Sequence, residues 1–225
     1  MRYLLIVLLT ASCNIQNAGT DPGNNREEAQ IVPAVKASIH DSVIPTAAQY
    51  NKIPAAQLTE GVLTLKEHGK GLLRIYDFHN REWLSLKVDS IAPDSLKPYS
   101  CYPDYENLVF RVTRFDAEYY HVIVNEETGL TAKIRKSEPS LVFQRWDEHV
   151  ISVFSVDFDA DKNPVKQDTT GQQRAAYNND VEFFFPVRTQ GDWLEVRWDD
   201  DTKEKNGWIK WRNGNTLLIY LNYIA

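Results

Sequence analysis

From Leu58 onward the chain alternates apolar and polar residues in short runs, the period-two pattern of strands with one buried face. Gly61-Val62-Leu63-Thr64-Leu65 leads into a turn at His68-Gly69-Lys70-Gly71. Leu72-Leu73-Arg74-Ile75-Tyr76 follows, then a turn from Asp77 to Arg81, then Trp83-Leu84-Ser85-Leu86-Lys87-Val88. Apolar runs joined by short polar turns predict a meander. Further strands are predicted at 108–114, 119–125, 130–135, 141–146, 150–158, 181–186, 193–198, 207–211 and 217–223, where β-branched and aromatic residues concentrate. No window of roughly 11 residues or more shows helical spacing. The pattern predicts an all-β body.

Two stretches follow one plan. The first runs Glu118-Tyr119-Tyr120-His121-Val122-Ile123-Val124, a polar turn through Glu126 and Glu127, Gly129-Leu130-Thr131-Ala132-Lys133, then Leu141-Val142-Phe143. The second runs Asp192-Trp193-Leu194-Glu195-Val196-Arg197-Trp198, an acidic turn from Asp199 to Lys205, Gly207-Trp208-Ile209-Lys210-Trp211, then Leu217-Leu218-Ile219-Tyr220. Each has an upstream strand, Val109 to Val112 and Phe183 to Val187. A spacing of about 75 residues between copies reads as an internal repeat.

The second copy resembles the bacterial SH3-like (SH3b) family. Gly191-Asp192-Trp193-Leu194-Glu195-Val196-Arg197 and, after a turn, Gly207-Trp208-Ile209 match its "GDW-x-x-V-R … G-W-V" pattern. In the first copy Tyr119 and Leu130 replace the two tryptophans. The resemblance implies two small SH3-like barrels in tandem, 58–149 with extra N-terminal strands and 150–225, meeting near His149 to Ser152. Alternation puts Leu194, Val196 and Trp198 on the core side of their strand, with Trp193, Glu195 and Arg197 opposite. By the same parity Tyr120, Val122 and Val124 face a core, while Tyr119 and His121 face outward. SH3-like barrels build aromatic grooves from such positions, so Trp193, Trp208, Tyr119 and Arg197 are the candidate ligand-binding residues. The competing reading buries these aromatics between the barrels.

The N-terminus sets the location. Met1-Arg2-Tyr3-Leu4-Leu5-Ile6-Val7-Leu8-Leu9-Thr10-Ala11-Ser12-Cys13 places one basic residue before an apolar run and small residues before a cysteine, the order of a secretory signal. Its ending resembles a bacterial lipobox, with Thr10 where leucine is usual. The resemblance implies a signal peptide at 1–12, lipid on Cys13 and a membrane partnership through that lipid. Asn14 follows the cysteine in place of an aspartate. By resemblance to enteric lipoproteins this implies the outer membrane, facing the periplasm or the cell surface. Residues 13–57 are rich in Asn, Gly, Gln, Ala, Ser and Pro, with Pro22, Pro33, Pro45 and Pro54 spread through them. They predict a flexible tether that cannot bury enough apolar surface to order itself.

Composition narrows the chemistry. The chain has 225 residues, 43% hydrophobic and 12% aromatic, with a net charge of −6. No Lys/Arg block is present, so nucleic acid is not an expected partner. Cys13 and Cys101 are the only cysteines, so a lipidated Cys13 leaves no disulfide framework. Asp157, Asp159, Asp161, Asn163 and Asp168 have EF-hand spacing, but Lys162 stands where the loop needs glycine. The run reads as an acidic turn, and no metal or cofactor is expected. Cys101 as a nucleophile with His121 or His149 as base defines a hydrolase alternative. It sits in Pro98-Tyr99-Ser100-Cys101-Tyr102-Pro103, where two prolines oppose the helix start that cysteine peptidases of the NlpC/P60 kind use. The expected function is therefore non-enzymatic: binding a cell-wall peptide or glycan, or a protein partner, in the envelope. The alternative without a ligand is a structural or assembly subunit of an envelope complex.

Overall fold

Backbone pairing begins before the alternation does. The computed structural model describes residues 44–225 except 67–68, 70, 89–91, 173, 178–180, 182 and 201–202. The signal peptide, Cys13 and the tether up to residue 43 lie outside the described residues, as does part of the turn expected at 68–71. Strands β1 (Gln49–Tyr50), β2 (Gly61–Leu65), β3 (Leu72–Tyr76), β4 (Glu82–Lys87), β5 (Ser100–Tyr102), β6 (Asn107–Phe115), β7 (Tyr119–Asn125), β8 (Leu130–Arg135) and β9 (Leu141–Gln144) form one antiparallel sheet. Its order is β4-β3-β8-β7-β6-β2-β9, with β1 beside β8 and β5 beside β6. One helical turn, α1 (Trp146–His149), leads into β10 (Ser155–Phe158). Next come β11 (Phe185–Gln190), β12 (Trp193–Asp200) and β13 (Lys203–Lys210), a three-stranded meander. The hairpin β14 (Arg212–Asn213) and β15 (Thr216–Leu217) follows, and β16 (Ile219–Asn222) returns to pair with β10.

The all-β expectation holds, and both repeat copies are antiparallel meanders, β6–β8 and β11–β13. Tandem barrels are not what these strands make: among the described residues no sheet closes on itself. The reason lies in the two faces of the central sheet. Leu63, Phe110, Val112, Val122 and Ile134 on one face join Leu73, Ile75 and Trp83 of the β3–β4 hairpin in a first core. Val62 and Val109, one residue out of phase, point from the opposite face into a second core. There they meet Trp146 and Val150 around α1, then Leu194, Val196, Trp198, Ile209 and Trp211. At the expected joint Val150 enters the second core and His149 is buried, while Ile151 and Ser152 stay exposed, and the described residues form one unit.

The tether also ends earlier than its composition predicts. Tyr50 and Gln49 pair with Leu130 and Thr131. Residues 53–57 then run as a strap over Arg111, whose side chain is fully buried. All five guanidinium N–H groups are used. Nε donates to Glu126 Oε1 at 2.9 Å and Nη2 to Glu126 Oε2 at 2.5 Å. Nη1 donates to the carbonyls of Pro54 and Gln57 at 2.9 and 3.0 Å, and Nη2 to that of Ile53 at 2.8 Å. A buried charge persists only when paired and hydrogen-bonded. Arg111 meets that condition by holding polar backbone that has no apolar periodicity of its own.

Candidate functional site

The residues expected to form an aromatic groove are mostly occupied by their own chain. Leu194, Val196 and Trp198 fill the second core, as their parity requires. On the opposite face, Trp193 pairs with Lys210 and Glu195 with Trp208, so the two tryptophans lie diagonally across the β12–β13 hairpin. Trp208 is 7% exposed. The Arg188 guanidinium covers its ring at 5.1 Å, and Arg188 is fixed by a 2.5 Å bond to Glu195. Trp193 is half-buried. Lys210 Nζ lies 5.5 Å from its ring centre, and Gly171 comes so close that a Cβ there would sit 3.1 Å from the ring. Arg197 reaches outward, 3.3 Å from Glu204 and 5.6 Å from the Phe185 ring. Each tryptophan is thus already covered by a cation.

Tyr119 departs from its expected outward position. It is 4% exposed, because β3 lies beside β8 in the sheet and brings Tyr76 to the same face as Tyr119, Lys133 and Arg135. Tyr76 meets its ring edge-on at 5.8 Å, and Lys133 and Arg135 lie 4.7 and 5.4 Å from its centre. Beside it, His121 is buried against Phe78 and bonds Asp116 through Nε2 at 2.9 Å, while Nδ1 has no hydrogen-bond partner. The His121 hydrogen bond, with the backbone N–H groups of Tyr119 and Glu118, holds the Asp116 carboxyl well below the usual carboxylate range. Burial outweighs that carboxylate at His121 and lowers its pKa.

The hydrolase constellation does not assemble. Cys101 lies on β5 opposite Leu108 and packs against the first core. Burial pushes its thiol pKa up, against what a nucleophile needs. His149 is spent elsewhere: Nδ1 donates to Gln144 Oε1 at 2.8 Å, and Nε2 accepts from the Tyr223 hydroxyl at 2.9 Å. The acidic run is likewise self-satisfied. Asp159 takes the Lys162 ammonium at 2.7 Å and the backbone N–H groups of Asp161 and Lys162. Asn163 is tied to the Lys210 backbone through both its amide groups. Among the described residues no cluster of three or more His, Cys, Asp or Glu side chains is placed to hold a metal ion.

A cleft that the sequence did not single out is the better candidate. It has a volume of about 560 Å³. Residues 217–221 line it, together with Ala55 and Ala56 of the strap, Tyr99, Tyr223, and Asp159, Lys162 and Asn163. Tyr220 projects from β16 and is 72% exposed. Leu217 N–H donates to the Ala56 carbonyl at 2.7 Å, so the strap is tied to the last strands where both line the cleft. No sequence signal marks this cleft, because its walls come from the strap, the β5 approach and the last strand. A second, more polar cleft of about 410 Å³ lies between Thr59, Glu60, Arg145, Asp147, Thr189 and Arg212. No known protein family, no characterised protein and no solved structure matches the chain.

Proposed function

We propose that this chain is a non-enzymatic, lipid-anchored protein of the cell envelope that binds a cell-wall component or an envelope protein through the cleft beside β16. The observation that carries this reading is a sizeable cleft lined by three tyrosines in a body where Cys101 packs against the first core and His121 and His149 are already bonded within the chain. Sites with mostly apolar walls and a few polar groups are the usual form of a binding pocket. The likeness of β12 and β13 to the SH3b pattern supports a binding role over a catalytic one. A structural or assembly role is favoured by one specific observation: Tyr119 and Trp208 are covered within the chain itself, so they support the fold and leave recognition to other residues.

Location and binding are tested separately. Cys13→Ala should move the protein from the membrane fraction to the soluble periplasmic fraction. Retention of that variant in the membrane fraction would overturn the lipid anchor. The mature Cys13→Ala protein should be retained on purified cell wall or on an envelope extract, and Tyr220→Ala should reduce that retention. Equal retention of both proteins would remove the cleft from the binding role.

A further inference from the structure

The binding reading can be taken to a class of ligand. Successive residues of a strand point to opposite faces. A cleft lined by five consecutive residues, 217–221, therefore runs along the edge of the chain and not across one face of it. Among the described residues β16 pairs with β10 alone, from Ile219 opposite Phe158 to Asn222 opposite Ser155. The N–H groups of Leu217 and Leu218 are taken by Ala56 and Trp211, so the stretch of its other edge that can face the cleft begins at Ile219. Such an edge offers backbone N–H and C=O groups as a template for another strand. Charged side chains, proline and bulges are the usual protection, and Ile219-Tyr220-Leu221-Asn222 has neither a charge nor a proline.

The walls narrow the side chains that fit. The charged groups that line the cleft, Asp159 and Lys162, neutralise each other at 2.7 Å. The amide of Asn163 is spent on the Lys210 backbone, and the hydroxyl of Tyr223 on His149. No unpaired charge lines the cleft to meet a charged ligand. What it presents is apolar surface from Leu217, Leu218, Ile219 and Leu221, with aromatic surface from Tyr99 and Tyr220.

We propose that the cleft takes an extended, uncharged peptide segment that adds as a strand along the free edge of β16. This rests on the binding reading above and names its ligand class. Backbone hydrogen bonds supply affinity in such complexes, and alternate side chains set the preference. A segment of four or five residues covers the four-residue strand, which is about 13 Å long.

The test uses the mature full-length chain carrying Cys13→Ala, labelled with ¹⁵N. The probe is a mixture of capped, uncharged pentapeptides alternating Val or Tyr with Thr or Ser. The expected result is that amide resonances of 217–222 shift on titration. The same peptides N-methylated at alternate residues should bind at least about tenfold more weakly, because they lose two backbone donors but keep their side chains. Equal binding by the N-methylated set would overturn strand addition and leave a side-chain groove. Shifts at 217–222 with soluble glycan fragments of the cell wall, but none with peptides, would also overturn it while the binding reading stands. No shift with either probe overturns the proposal, and cell-wall retention then judges the binding reading alone.

Discussion

His149 shows what one buried side chain decides. It sits at the end of α1, between Gln144 of β9 and Tyr223 near the C-terminus, with both ring nitrogens bonded. Burial lowers its pKa to about 4. In the unfolded chain an ordinary histidine titrates near 6.5. Between these values the unfolded state takes up a proton that the folded state refuses. Stability from this group is therefore complete above pH ~6.5, falls by about 1.4 kcal/mol per pH unit toward pH 4, and changes no further below it. Urea denaturation at pH 7, 5.5 and 4.5 should show this slope, and His149→Gln should flatten it. A variant whose pH dependence equals that of the wild type would show that His149 is not the titrating group. In the sequence His149 could be read only as a possible base. Its true partners, five and 74 residues away in sequence, are supplied by packing.

Among the elements, the meanders were legible and the short strands were not. Alternation located β2, β3, β7 and β8 at their observed limits, because each run has a buried face to reveal. β1, β5 and β14 are two or three residues long, too short to carry a period. β10 starts only at Ser155, because Val150 and Val153 fill the second core from irregular backbone. β11 begins later than expected, at Phe185. Phe184 leaves the strand to pack on Trp198, Tyr177 and Phe158. The Gly207 of the repeat has a physical reason. Lys166 exchanges two backbone hydrogen bonds with Trp208, at 2.7 and 2.8 Å. A Cβ on Gly207 would stand 2.5 Å from Val165 Cγ1 and 2.9 Å from the Lys166 carbonyl. Gly207→Ala should therefore cost about 1–3 kcal/mol, as overpacking does, seen as a lower urea midpoint. An unchanged midpoint would mean that this segment moves aside freely.

On the scale of the whole molecule, the two halves depend on each other. The second core includes Val62 and Val109 from the central sheet. The hairpin after β14 is held by the strap, through Leu58 N–H to Asn215 O and Leu217 N–H to Ala56 O, each at 2.7 Å. A fragment of residues 150–225 would expose the apolar surface those residues cover and lose those bonds. It should show narrow amide dispersion and no cooperative thermal transition, whereas the whole body should unfold in one step. A well-dispersed fragment with a sharp transition would restore the view of two independent barrels.

The sequence by itself determined that the body is all-β, where β2, β3, β7 and β8 lie, which side of β12 is core, and that two meanders follow one plan; it read as turn the residues from Asp199 to Lys205, of which all but the tip belong to β12 and β13. These are local properties, set by period-two alternation and turn chemistry. Only the tertiary structure decided that the meanders meet in the second core instead of closing separately, since closure depends on which strand edges and faces find each other. It also decided that Tyr119 and Trp208 are covered, that 53–57 is a strap and that a cleft opens beside β16. Each of these brings together residues far apart in the chain, and no local pattern records such meetings.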